Sequence, residues 1–400
     1  MSSGRSGWSS GQKMNKQPIY FMLFEKANLS RIRGLMEAMW RHPDFKPVFV
    51  KGFDYKEYCG EIKAMEPIGF ETFDLNSWLD ERGDSREIQW PDVVGKNPQQ
   101  RLLNALIDTD EFRTVYRLYR LHRQAMMEFF HCHRPSIVVL PEDTDYIRGR
   151  LACQLLQDSA CIRVIMQPNY YAYHVSYPLL GSRLGDYYLP TTALLEDRLR
   201  ARGVSSDKIR LFGCPELEKF CRLERAGNAK VFLYVLQGLA GEAAMLKEVL
   251  TVFAERFPEL DVVVKPHPEC PPDRTIEALI AAFDNASFTS PGQGVETLLC
   301  QVAAVLAQSS SVLFQALAAG VPIIALNYSG HASGLGIPGN VLDCCEVSTR
   351  DALTGLVRRI QRGTYPVHGR DWLLPRKDSL GATLAFFESL LWEIRCPKPH

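Results

Sequence analysis

Four short stretches of this 400-residue chain place residues capable of chemistry directly after apolar runs that read as strands. In an open parallel sheet, ligands bind beyond the carboxyl ends of the strands, so function is expected there. Lys265-Pro266-His267-Pro268 follows Asp261-Val-Val-Val264. Prolines on both sides of a histidine hold the backbone extended and fix the imidazole at the strand's end. There it can donate a hydrogen bond to a phosphate or a leaving oxygen, and Lys265 supplies a second cationic group. The other reading is a turn whose histidine only caps a neighbour; His42-Pro43 shows that a His-Pro pair alone is a weak signal.

The second stretch, Ser309-Ser310-Ser311, lies between a buried strand and the helical run VLFQALAAG. Hydroxyls and free backbone N–H groups at a helix N-terminus form an anion site, although one serine would suffice for an ordinary cap. The third, Gln237-Gly238-Leu239-Ala240-Gly241, is a turn whose glycines would let a nucleotide phosphate approach the backbone; a tight turn without a ligand fits equally well. The fourth, Pro141-Glu142-Asp143-Thr144-Asp145, offers a carboxylate as general base toward an acceptor hydroxyl. Asp143 is the first choice and Glu142 the second, and Asp143 could equally be the N-cap of a following helix. Gln167 and Asn169, after another strand, are candidates for the acceptor side, with Tyr170, Tyr171 and Tyr173 nearby as packing.

These stretches need elements to hold them, and the chain supplies an alternation. Strands are expected from Pro18, from Lys46, at Ser136–Pro141, at Ile162–Gln167 and at Ile209–Pro215. Helices are expected at Leu29–Arg41, Thr109–Cys132 and Tyr146–Asp158. Residues Asn76–Gln100 read as a long loop or insertion. A second alternation runs through strands Lys230–Leu236, Asp261–Lys265, Val302–Ala307 and Val321–Leu326, with helices Gly241–Phe257, Arg274–Phe283 and Val312–Ala319 between them. The implied fold class is α/β, as two tandem Rossmann-like doubly wound domains. The expected divisions are a disordered tail over 1–17, an N-terminal acceptor-side domain over 18–221, a hinge at 222–229 and a nucleotide-donor domain over 230–376. A last helix within 377–400 would be capped by Asp378 or Ser379 and pack back on the first domain.

Forty-six basic and forty-six acidic side chains cancel, so no global field draws the chain to nucleic acid or to an anionic membrane. Eleven cysteines without a CxxC pair, mostly inside apolar stretches, point to a reducing compartment. The Ser/Gly-rich first 17 residues lack the apolar centre of a signal peptide, and no apolar run approaches the ~20 residues of a membrane span. A cytoplasmic protein is expected, touching a membrane only peripherally. His131-Cys132-His133 has ligand-type residues that diverge on a helix end, and Cys344-Cys345 reads as buried; no metal site is expected.

The succession VVLPED, VIMQPN, IRLFGCP, VVVKPHPE and AQSSSVLFQALAAGVPIIALN resembles bacterial surface-polysaccharide transferases of GT-B fold, from about Pro18 to the mid-300s. The relatives meant are capsule Kdo transferases, CDP-glycerol glycerophosphotransferases and bacterial sialyl- and polysialyltransferases. The resemblance implies a metal-independent glycosyltransferase, without a further cofactor, at the inner face of the cell membrane. It would move a sugar from a CMP-Kdo or CMP-sialic acid type donor to a hydroxyl of a glycan or glycolipid, in company with polysaccharide-assembly machinery. It implies catalytic roles for Glu142, Asp143 and His267, nucleotide binding by His267 and Pro268, and phosphate binding by Ser309, Ser310 and Ser311. Thr144 replaces that family's glycine, and Gln315 stands where many GT-B enzymes place a glutamate on the donor ribose. The alternatives are a CDP-glycerol glycerophosphotransferase, an enzyme like UDP-N-acetylglucosamine 2-epimerase, and a catalytically silent GT-B scaffold. Against the epimerase, the serine run has no Asp-Ser-Gly-Gly stretch near it.

Overall fold

The computed structural model describes residues 16–23, 26–51, 71–74, 110–141, 149–166, 184–226, 230–238, 241–267, 270–308, 310–328, 345–365, 373 and 378–396. Among these the chain divides into two compact units: one within 1–166, 182–187 and 381–400, the other within 188–380.

The first sheet has the order β3-β2-β1-β4-β5-β6, built from Gln17–Leu23 (β1), Phe45–Lys51 (β2), Glu71–Asp74 (β3), Ile137–Leu140 (β4), Ile162–Met166 (β5) and Tyr187–Leu189 (β6). β1 pairs in parallel with both β2 and β4, and Ile19, Tyr20, Phe21 and Met22 are all buried. Continuous apolar residues on both strand faces are what a parallel sheet covered by helices demands. The helices of this unit are Lys26–Arg41 (α1), Asp110–His133 (α2) and Gly149–Leu155 (α3). Between β5 and β6 the guanidinium of Arg163 donates bidentately to Asp186, at 2.9 and 2.7 Å, and Asp186 also accepts from the Arg163 backbone N–H at 2.9 Å. This pairing raises the Arg163 pKa further.

The second sheet runs β12-β11-β10-β7-β8-β9, from Val231–Val235 (β7), Asp261–Lys265 (β8), Ala286–Phe288 (β9), Ala304–Ala307 (β10), Ile323–Leu326 (β11) and Glu346–Val347 (β12). Counted along each unit, both sheets have strand order 3-2-1-4-5-6, so the repeat expected from the alternation exists in architecture without a repeat in sequence. The helices between β6 and β10 are Ala193–Ala201 (α4), Pro215–Cys221 (α5), Glu242–Arg256 (α6), Arg274–Ala281 (α7) and Val295–Gln301 (α8). After β10 come Ser311–Ala318 (α9), Arg350–Gln361 (α10) and Ser379–Arg395 (α11). One face of the second sheet (Phe232, Leu306, Leu326) packs on α6, α7 and α10, and the other (Leu233, Val305, Ala325) on α5, α8 and α9.

One expectation needs correction. Ile209–Pro215 is not a strand: Ile209 makes only an isolated bridge to Tyr188, Gly213 turns left-handed at φ 82°, and Pro215 already begins α5. A proline with its fixed φ suits the first turn of a helix, and its apolar neighbours Leu217 and Phe220 are buried against the second sheet's core. Residues 222–226, read as a hinge from their charge, are fastened to the second unit. Arg225 donates to the carbonyls of Gly320 (2.7 Å) and Val302 (3.3 Å), and the Ala226 N–H donates to Cys300 O. The remainder of that segment, the tail over 1–15 and residues Asn76–Gln100 lie outside the described residues.

Within the first unit, α11 buries Phe387, Leu390 and Leu391; its Glu388 meets His42 at 2.9 Å and its Arg395 meets Asp44 at 3.3 Å. No described helix is long and apolar enough to cross a membrane.

Candidate functional site

At the topological switch point of the second sheet the crossovers from β7 and β10 run in opposite directions, opening a crevice beyond their carboxyl ends. Three of the four stretches singled out in the sequence end here, on β8, β7 and β10, which are consecutive in the sheet. At the usual spacing, β8 and β10 stand about 10 Å apart.

On β7 the chain leaves through Gln237 and Gly238 and re-enters a helix through Gly241, left-handed at φ 80°, and Glu242. The Glu242 carboxylate is 3% exposed and accepts the backbone N–H of Gln237 and of Gly238, each at 2.7 Å. A carboxylate in the first turn of a helix is favoured by the helix dipole, and here it occupies the donors that such a turn would offer a phosphate. The backbone N–H groups of Gln237 and Gly238, residues expected to contact the donor nucleotide, are thus held by the protein's own anion. Glu242 carried no motif, and the only signal available was a glutamate directly after a glycine at a helix start.

Gly238 has a second reason to be glycine. At φ +72° a side chain is strained, and a Cβ would lie 2.8 Å from Cβ and 3.0 Å from Sγ of Cys270, just beyond the His-Pro turn. The Gly238→Ala variant is expected to lose about 1–3 kcal/mol of stability, from left-handed strain plus the displaced Cys270. Urea denaturation checks this, and an unchanged midpoint would mean the turn yields freely.

On β8, Lys265 is half-buried and its Nζ donates to Gln293 O at 3.1 Å. Part of its donor capacity thus stabilises the loop before α8, leaving at most the rest of its three donors for a ligand. The next helix carries Glu296, 2.6 Å from Lys219; this hydrogen bond first, and Lys265 among weaker influences, holds the Glu296 carboxyl below its usual range. Pro266 and His267 follow, both half-buried. Pro268 lies outside the described residues.

On β10 the strand passes through Gln308 to Ser310, which is 9% exposed and caps α9: its Oγ accepts from the Val312 N–H at 3.2 Å. The cap uses a lone pair and leaves the hydroxyl proton for a ligand. Ser311 is half-buried at the first helical position, and Ser309 lies outside the described residues. Gln315, one turn after Ser311 and so on the same side of α9, has a buried Oε1 with no hydrogen-bond partner among the described residues. Leaving such an acceptor empty costs about 1–3 kcal/mol.

Two polar groups at the same edge were missed in the sequence. Asn327 and Tyr328 follow β11; Asn327 donates to Glu346, while its Oδ1 and the Tyr328 hydroxyl are buried without a described partner. Burial, reinforced by Glu248, pushes the Tyr328 phenol up to about 12. The signal was the switch from IIAL to Asn-Tyr at a strand's end. The remaining candidates, Glu142, Asp143, Gln167 and Asn169, lie outside the described residues.

No family profile matches the sequence, and no curated protein matches it either. Solved structures do match in fold. UDP-N-acetylglucosamine 2-epimerase from Neisseria meningitidis, bound to UDP-N-acetylglucosamine, aligns with TM-score 0.59 at 10% identity over 94% of this chain and 100% of its own. The 2-epimerase from Rickettsia bellii aligns with TM-score 0.57 at 13% identity over 95% and 97%. A glycosyltransferase from Rickettsia africae aligns with TM-score 0.51 at 14% identity over 94% and 99%. The chain thus has the GT-B-like fold of enzymes acting on nucleotide sugars.

Proposed function

We propose that this chain is a glycosyltransferase that takes its sugar from a nucleotide-activated donor, with the donor phosphate between His267 and the N-terminus of α9. The observation that carries the reading is the convergence of a half-buried imidazole, a capped helix N-terminus bearing Ser310 and Ser311, and the empty buried acceptor of Gln315 at one sheet edge. An amide oxygen there accepts from a sugar hydroxyl, which suits the ribose of a nucleotide. The motif resemblance favours a CMP-Kdo or CMP-sialic acid type donor.

In this reading the acceptor hydroxyl oxygen attacks the anomeric carbon. The bond from that carbon to the phosphate oxygen breaks, and the electron pair leaves with the phosphate. The acceptor's proton passes to Asp143, or to Glu142. His267 and the Ser310 hydroxyl donate hydrogen bonds to the departing phosphate oxygens, stabilising charge where it develops. The acceptor is a glycan or glycolipid hydroxyl at the inner face of a membrane, and no metal takes part.

A second reading, a UDP-N-acetylglucosamine 2-epimerase-like enzyme, is favoured by the fold neighbours, one of them bound to UDP-N-acetylglucosamine. Thermal-shift titration with CMP, CDP, UMP, UDP and GDP in metal-free buffer separates the two, because a ligand binding only the native state raises the midpoint. A shift with a cytidine nucleotide is expected. A shift with UDP alone would move the assignment to the epimerase or a UDP-sugar transferase, and no shift at all to a silent scaffold.

A further inference from the structure

A cavity of about 800 Å³ opens in the first unit at the amino ends of β4 and β5, the end of the sheet opposite to where a doubly wound fold places its nucleotide. Its size falls within the range of small-molecule sites. The wall is largely apolar, from Met127 and Phe130 of α2 and Leu155 of α3. Met127 is one of only two large apolar side chains exposed among the described residues, at 44%. An exposed methionine on a concave apolar wall is a surface prepared for an apolar partner.

The rim carries charge. His131 and Arg134 line the cavity, and neither side chain has an ion pair or hydrogen bond among the described residues. The rim's one carboxylate, Glu128, accepts from Gln124 one turn back on α2, at 3.3 Å. Arg134 is also the single non-glycine residue with positive φ among the described residues, at 42°. It occupies the position after α2 where glycine closes helices without steric cost, while its N–H donates to Phe130 O at 3.0 Å. The backbone alone would be better served by glycine. An arginine in a left-handed conformation at the mouth of an apolar cavity places a guanidinium there at a backbone cost that the turn itself does not require.

We infer that this cavity binds a single anionic amphiphile, a phosphate or carboxylate head group on Arg134 and His131 with its aliphatic chain along Met127, Phe130 and Leu155. The chemistry at the site is charge-assisted hydrogen bonding plus apolar burial, with no covalent step. Cys161, in the same wall, is buried and its thiol is pushed up to about 12, so it is not a nucleophile here.

The test uses the full-length protein and dodecyl phosphate below its micellar concentration, titrated calorimetrically. Saturable binding to one site is expected. Arg134→Gly should weaken it about tenfold or more while leaving the thermal midpoint unchanged or raised, because the left-handed strain is relieved. Ala160→Phe, on the exposed cavity margin, should compete for the space and weaken binding without touching the charge. Flotation with phosphatidylglycerol vesicles identifies the source: capture that Arg134→Gly abolishes would mean a membrane lipid, and monomer binding without capture a soluble amphiphile. No saturable dodecyl phosphate binding, or equal affinity in wild type and Arg134→Gly, would overturn the proposal.

Discussion

Replacing His267 with alanine is expected to lower turnover of the nucleotide-sugar reaction by about 10²–10⁴-fold and to abolish the thermal shift given by the donor nucleotide. The imidazole stands at the end of β8 directly after Pro266, whose ring fixes its own φ and so steadies the backbone that carries His267. Half-buried, it acts in a medium where a hydrogen bond to a developing phosphate charge is worth more than in water. Stability should change little, since the side chain is not part of either apolar core. Circular dichroism melting alongside steady-state kinetics separates the effects. A variant that melts normally and turns over at the wild-type rate would remove His267 from the site. Gln315→Ala serves as the companion: it deletes a buried acceptor that has no described partner and whose emptiness is itself costly, so it should cost nucleotide affinity without lowering stability.

The largest stability effect is expected at Glu242. Its removal in Glu242→Ala strips the acceptor from two backbone N–H groups, those of half-buried Gln237 and exposed Gly238, and empties the space of a carboxylate that is itself buried. An orphaned buried donor costs about 1–3 kcal/mol, and the exposed Gly238 amide can turn to water, so a loss of about 2–3 kcal/mol is expected in denaturant unfolding. Glu242→Gln preserves the shape but offers one carbonyl oxygen for two donors, and should lose about half as much. The phenol of Tyr234, buried beneath this turn with its pKa raised by burial first and then by Glu242, gives a local readout: its environment should change in both variants. Equal stability of wild type and Glu242→Ala would show that another group takes over the two amides.

Much of the fold could be read from the chain because its determinants are local. Ile137–Leu140, Val231–Val235 and Ile323–Leu326 are short, apolar or aromatic runs rich in β-branched residues, the pattern of parallel strands covered on both faces. The errors came where a local signal was outbid. The run at Ile209–Pro215 has a strand's composition, yet a left-handed glycine and a helix-starting proline leave it only one bridge. Arg225 lies in the segment read as a hinge, yet it donates to carbonyls as far as 95 residues away.

The same division runs through the candidate site. The sequence by itself determined which residues stand at the ends of β7, β8 and β10, because strand ends are marked by the switch from apolar residues to glycine, proline and serine. It also offered a serine cap for α9, and the structure assigns that cap to Ser310 through a contact two residues long. Tertiary structure alone decided how their hydrogen-bonding capacity is spent: Lys265 on a carbonyl 28 residues away, the Gln237 and Gly238 amides on Glu242, and Gln315 with its oxygen buried and unpaired. Donors and acceptors choose partners by distance in space within a medium that punishes any left over, and neither spacing nor composition along the chain encodes that choice.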